Sequence, residues 1–201
     1  MTWTTANKVT VARILFVPLF VVEILAYVNG GSEWHRIAAM ICFALSAGGD
    51  AVDGYIARHF NQRTELGAIL DPLADKLLVV SALVVLSLDN HQRFDAIPWW
   101  LVAAVVTREL VLLGGMIAIQ CTSRKFVARP RLTGKIATVL LMTTISWTLL
   151  QWSATVLPFF SVGAGLFTVV SGMYYLYDFM QQWRSAHTEL KMDAGMEIPR
   201  S

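Results

Sequence analysis

The chain has 201 residues, of which 56% are hydrophobic and 15% charged, and its formal net charge is +2. Ordinary globular domains carry roughly 25% charged residues, so the composition excludes a typical soluble domain, and the length leaves room for one bundle without a second domain. Two cysteines, Cys42 and Cys121, suggest neither a disulfide framework nor a zinc site, and both are read as packing residues.

The first apolar block covers about 10–28. It begins after Lys8, contains Arg13 and Glu23, and is followed by Asn29-Gly30-Gly31, so it reads as a spanning helix and not as a cleavable signal. Further blocks follow at about 37–57, 67–88, 97–119, 135–152 and 158–180. Each approaches the roughly 20 residues that a helix needs to cross the hydrocarbon core. A buried soluble helix accounts for any one block, but not for six in succession joined by short polar connections. The expected fold is all-α, an integral membrane bundle of six transmembrane helices forming one domain over 1–201. The polar stretch 181–201 reads as a cytoplasmic tail, either a short surface helix or disordered.

Basic residues orient the bundle. Of the 16 lysines and arginines, the connections at about 29–36, 89–96 and 153–157 hold only Arg36 and Arg93, which makes these the outer loops. The strongest cluster, Arg124, Lys125, Arg129, Arg131 and Lys135, belongs to the fourth connection and the start of the fifth helix. Both termini are then cytoplasmic. Trp34, Trp99 and Trp100 suit the outer interface, and Trp3 and Trp183 the inner one. The basic connection is a solvated positive-inside loop that also suits anionic headgroups.

The chemistry gathers between the second and third helices. Asp50, Asp53, Gly54, Ala57 and Arg58 fall at i, i+3, i+4, i+7 and i+8, so they share one helical face. Gly67, Asp71 and Asp75, at i, i+4 and i+8, share a face of the next helix. The turn His59–Glu65 is short enough to make these helices antiparallel neighbours, so four carboxylates can face one another just below the cytoplasmic interface. Carboxylates in an apolar segment are costly and mark function. Four at one depth cannot all stay ionised without cations, and Arg58 with Lys76 does not balance them. Hard divalent cations with oxygen ligands do, and magnesium or manganese suits a shell completed by phosphates. Gly54, Ala57 and Gly67 remove side chains where a ligand needs close backbone approach, although small residues also serve helix packing. Arg58 can pair with a diphosphate oxygen or act as an inside-positive anchor.

At all eight fixed positions, Asp50-x2-Asp53-Gly54-x2-Ala57-Arg58-x8-Gly67-x3-Asp71-x3-Asp75 resembles the signature of the CDP-alcohol phosphotransferases. Asn7-x2-Thr10-x2-Arg13 followed by Pro18 is similar to that family's first-helix pattern, with Ala6 where a proline is usual. The resemblance covers the whole chain and implies six membrane helices, a cytoplasmic active site and a homodimer. It implies that Asp50, Asp53 and Asp71 hold two divalent cations, Mg2+ or Mn2+, with Asp75 also near the metals as general base. It further implies a pocket for the CDP-lipid made by Gly54, Ala57, Arg58 and Gly67, with Asn7 and Thr10 contributing, and CDP-diacylglycerol as donor. Among four aspartates, the sequence does not separate base from ligand.

The acceptor is read from the fourth and fifth helices. Arg108-Glu109 and Gly134-Lys135-x2-Thr138 resemble the phosphatidylglycerophosphate synthases of that family, as do Arg58-x4-Arg63 and Asp71-Pro72-Leu73-Ala74-Asp75-Lys76. The implied acceptor is glycerol 3-phosphate, whose dianion in a low-dielectric site needs cationic donors, here Arg108 and Lys135. A salt link between Arg108 and Glu109 is the structural alternative. Many such synthases carry a second arginine where this chain has Gly114, Gly115 and Met116. The cardiolipin synthases, which accept phosphatidylglycerol, are therefore the runner-up. A divalent-cation transporter would also explain the aspartates, but not Arg58 beside them, and it would release no CMP.

Overall fold

The computed structural model describes residues 5–59, 65–88, 93–120 and 132–193, and within them the side chains of 12–49, 76–88, 93–115 and 132–181. The helices are α1 (Thr5–Val28), α2 (Glu33–His59), α3 (Glu65–Ser87), α4 (Trp99–Gln120), α5 (Leu132–Leu149) and α6 (Leu157–Asp193). No strand occurs among the described residues. Among the described residues the fold is all-α with six helices, as expected of the fold class.

Local sequence explains where the helices stop. After α1, Gly30 takes a left-handed conformation (φ 98°), and the amides of Gly30 and Gly31 bond the carbonyls of Tyr27 and Ala26 at 3.2 and 3.0 Å. This is a Schellman cap, in which glycine accepts the left-handed position without steric penalty. The same cap ends α5 with a side chain in the left-handed position. Gln151 has φ 52°, its amide bonds Thr148 O at 3.0 Å, and the Trp152 amide bonds Trp147 O at 3.3 Å. The apolar contact that accompanies such caps is present, with the Trp147 and Trp152 rings 4.7 Å apart, edge to face. The fifth apolar block, expected over 135–152, therefore gives a helix that stops at Leu149.

Other boundaries differ from expectation as well, α1 for instance beginning at Thr5 and α5 at Leu132. α2 begins at Glu33, so Arg36 lies in its first turn and not in a loop; Nε donates to Glu33 Oε2 (2.8 Å) and Nη1 to Leu149 O (3.0 Å). α6 runs through Asp193, so the expected tail continues a helix for much of its length, and residues 194–201 lie outside the described ones.

α1 packs on α2 and α3, while α6 packs on α4 and α5. The core between them includes Phe20, Ile24, Phe43, Leu83, Leu101 and Ile145. At Gly165 a Cβ would overlap the Trp100 ring, so glycine permits the close approach of α6 to α4. The outside is apolar as well: Leu15, Leu19 and Val22 on α1, and Phe159, Leu166 and Met173 on α6, are exposed. Helices apolar on every side are buried or face lipid. Among the described residues, Leu132–Leu149 and Leu157–Gln181 are long and apolar enough to cross a membrane.

A polar knot ties one end of the bundle. The Tyr27 hydroxyl donates to Glu33 Oε1 (2.9 Å) and accepts from Gln151 Nε2 (3.0 Å). Gln151 Nε2 also donates to Arg93 O (2.7 Å), and the Arg93 guanidinium lies 5.0 Å from the Tyr27 ring centre. Glu33 precedes the apolar span 37–57, and the Arg36 guanidinium, with the Tyr27 hydroxyl, holds its carboxyl below the usual glutamate range.

Candidate active site

The backbone is helical at each signature position. Asp50, Asp53, Gly54, Ala57 and Arg58 occupy the C-terminal part of α2, and Gly67, Asp71 and Asp75 the N-terminal part of α3. α2 and α3 pack against one another, so the helical register that puts each set on one face applies in the fold. The side chains of these residues, and those of Asn7 and Thr10 on α1, lie outside the described ones, as do Arg63 and the basic residues Arg124, Lys125, Arg129 and Arg131. Among the described residues there is no cluster of three or more histidine, cysteine or acidic side chains.

The start of α1 is tied to the aspartate-bearing part of α2 by Arg13. This side chain is buried, with 1% exposure, and its Nε donates to Ser46 O at 2.8 Å. A Cβ at Gly49 would stand 2.9 Å from Arg13 Cδ, so Gly49 makes room for the arginine immediately before Asp50. The first-helix pattern contained Arg13, but no role was assigned to it. A charge inside an apolar helix beside a Gly-Gly pair in the next helix was the available signal.

A second group forms where α3, α4, α5 and α6 meet. Arg108 of α4 is 9% exposed. Its Nη1 donates to Glu109 Oε1 at 3.2 Å, and Glu109 Oε2 is in close ion-pair contact with Lys76 Nζ of α3. The expected Arg108–Glu109 link is thus present, but Lys76 makes it a three-membered group. The Arg108 guanidinium also lies 5.7 Å from the Tyr175 ring centre, within cation–π range. Among the described residues, buried Arg108 Nε has no hydrogen-bond partner. Such a donor carries a desolvation penalty until an acceptor arrives.

Gly134 opens space beside this arginine. A Cβ there would lie 3.1 Å from Tyr175 Oη, 3.2 Å from Arg108 Nη2 and 3.2 Å from Ser171 Oγ. Lys135, expected beside Arg108 as a cationic donor to the acceptor phosphate, is exposed. Successive helix positions differ by about 100°, so Gly134 and Lys135 cannot both face Arg108, and glycine takes that place. Ser171 and Tyr175 went unnoticed in the sequence because a serine and a tyrosine in an apolar helix look ordinary.

Lys76, Arg108, Glu109 and Thr138, with apolar side chains between them, line a small cleft of about 30 Å³. Consecutive Cα atoms are 3.8 Å apart, so Lys76 puts this cleft beside the Asp75 position of α3. Its two cations, one carboxylate and unmet arginine donor suit the oxygens of a compact anion, next to the helix pair that carries the aspartates, although the volume is only that of a water or two.

Comparison with known proteins places the chain in a family. The profile described as CDP-alcohol phosphatidyltransferase matches residues 3–174. A Bacillus subtilis (strain 168) protein named CDP-diacylglycerol–glycerol-3-phosphate 3-phosphatidyltransferase is 34% identical over 196 residues, covering 90% of this chain and 96% of that protein. A Pseudomonas fluorescens protein of the same name is 31% identical over 199 residues, 96% of this chain and 94% of its own. An Escherichia coli (strain K12) protein, again so named, is 28% identical over 184 residues, 90% of this chain and 93% of its own.

Proposed function

Because the chain belongs to the CDP-alcohol phosphatidyltransferase family, we propose that it transfers the phosphatidyl group of CDP-diacylglycerol to glycerol 3-phosphate, forming phosphatidylglycerophosphate and CMP. One observation carries the acceptor. Relatives covering at least 90% of this chain bear the name of that reaction, and the same stretch holds the buried Arg108, whose Nε lacks a partner among the described residues. A phosphate monoester supplies the acceptor oxygens that such a donor needs.

The acceptor hydroxyl attacks the phosphorus of the phosphatidyl group, the bond to the bridging oxygen of CMP breaks, and CMP leaves. Asp75 takes the hydroxyl proton. Asp50, Asp53, Asp71 and Asp75 form an all-oxygen donor set that suits two divalent cations, Mg2+ or Mn2+. When bound, these would neutralise the diphosphate and the departing CMP. Gly54, Ala57, Arg58 and Gly67 receive the CDP-lipid with Asn7 and Thr10, and Arg108 holds the acceptor phosphate with Lys135 at the exposed rim. All six helices span the inner membrane with both termini and the site on the cytoplasmic side, and the enzyme works as a homodimer. The exposed apolar faces and the placement of basic residues support this topology.

Purified protein given CDP-diacylglycerol, a divalent cation and a labelled acceptor tests the reading. CMP release is expected with glycerol 3-phosphate and not with phosphatidylglycerol, serine or inositol phosphate. Cardiolipin made from phosphatidylglycerol, with glycerol 3-phosphate ignored, would overturn the acceptor. No CMP release with any acceptor would overturn the transferase.

A further inference from the structure

Glu109 has no role in the chemistry above, yet it stands between the two cations of the acceptor cleft. Side-chain exposures are 30% for Lys76, 15% for Glu109 and 10% for Arg108, so the group is largely shielded from solvent. Neighbours at i and i+1 on a helix do not face each other, so Arg108 alone would hold Glu109 poorly. Lys76, reaching across from α3, supplies the anchor.

A guanidinium presents five donors in a fixed planar fork. With Nη1 committed to Glu109, the edge formed by Nε and Nη2 is left, and Nε has no partner among the described residues. Resting on the proposed acceptor reading, we propose that Glu109 is a positioning residue for acceptor phosphate. Anchored by Lys76, its carboxylate holds the Nη1 end of Arg108 and leaves the Nε edge open for the phosphate.

Position and charge predict opposite outcomes. Glu109 subtracts one negative charge from a site meant for an anion, so as a charge alone it weakens acceptor binding, and its removal would tighten it. As a positioning residue its removal weakens binding, because Arg108 becomes free to turn.

Steady-state kinetics of the full chain separate the two. Glu109→Gln is expected to raise KM for glycerol 3-phosphate by roughly tenfold, the order of one misplaced charge-assisted hydrogen bond, while KM for CDP-diacylglycerol stays unchanged. Glu109→Asp should recover part of the loss. Lys76→Met, which removes the anchor and keeps the carboxylate, should shift KM in the same direction. In an Arg108→Lys background, neither Glu109→Gln nor Lys76→Met should add a further effect, since both act through the guanidinium. A lowered acceptor KM, equal changes in both KM values, or full additivity with Arg108→Lys would each overturn the proposal. If the wild-type protein uses phosphatidylglycerol instead, the acceptor reading fails by itself. The same coupling is then expected on the KM for that phosphodiester, and its absence would overturn the role of Glu109 as well.

Discussion

Arg108 and Gly134 show how a single missing side chain can shape a site. The Cβ of alanine at position 134 would meet Tyr175 Oη, Arg108 Nη2 and Ser171 Oγ at 3.1–3.2 Å. All three are side-chain atoms, and two end long side chains, so the helix can survive while the arginine moves. Gly134→Ala should therefore raise KM for the acceptor well above its effect on KM for CDP-diacylglycerol, with an unfolding midpoint close to wild type. A large fall in that midpoint with unchanged KM values would mean that Gly134 serves packing alone. Asp75 presents a different test, because a base and a ligand fail differently. Asp75→Asn should lower turnover by roughly 10²–10⁴, the range for loss of a general base, while CDP-diacylglycerol binding stays within a few-fold. Loss of donor binding would identify Asp75 as chiefly a ligand. Spacing alone brought the aspartates onto two neighbouring helices, because a helical period is written in the sequence. It could not pair Lys76 with Glu109, which are 33 positions apart, nor tell that Gly134 and not Lys135 faces Arg108.

At the scale of the elements, apolarity located the helices but not their ends. Nothing in α6 beyond 180 is apolar enough for a membrane, yet Gln181, Gln182, Arg184, Glu189, Leu190 and Lys191 favour helix, and no glycine or proline intervenes before Gly195. The helix accordingly continues to Asp193. The end of α5 was hidden for the opposite reason, since its left-handed cap carries glutamine where glycine usually signals a stop. Gln151→Ala would keep the unfavourable backbone and lose the bonds to Tyr27 and Arg93. It should destabilise by about 1–3 kcal/mol, whereas Gln151→Gly should recover part of this by relieving the backbone. Thermal unfolding in detergent checks the order; a glycine variant less stable than the alanine one would contradict it. The neighbouring Glu33 adds a pH effect. Its folded carboxyl titrates below the usual range because Arg36 and Tyr27 favour the charged form. Its contribution is therefore present above the ordinary glutamate pKa and lost as pH falls through the lower, folded value. The acid-side fall in unfolding midpoint should be smaller in Glu33→Gln than in wild type, and an identical fall would exclude Glu33 as a contributor.

For the whole molecule, topology decides whether the proposed chemistry has access to its substrates. CMP and glycerol 3-phosphate are water-soluble, so the end of the bundle bearing the α2 C-terminus and α3 N-terminus must face the compartment that supplies them. The opposite end carries the knot of Tyr27, Glu33, Arg36, Arg93 and Gln151, together with exposed Trp34, Trp99 and Trp152. Tryptophans mark an interface on either side, and the scarcity of basic residues makes this one the outer, since lysine and arginine concentrate inside. Two basic residues at this end do not reverse the bias: Arg36, in the first turn of α2, is tied to Glu33, and Arg93 lies over the Tyr27 ring. Single cysteines introduced after removing Cys42 and Cys121 test the orientation in intact cells. Ser153→Cys, in the exposed turn between α5 and α6, should react with a membrane-impermeant maleimide added outside. Ser123→Cys, in the basic connection between α4 and α5, should react only after the membrane is permeabilised. The reverse pattern would turn the carboxylates away from the cytoplasm and deny the site its soluble acceptor. Labelling of both positions from outside would show that α5, the one helix between them, does not span.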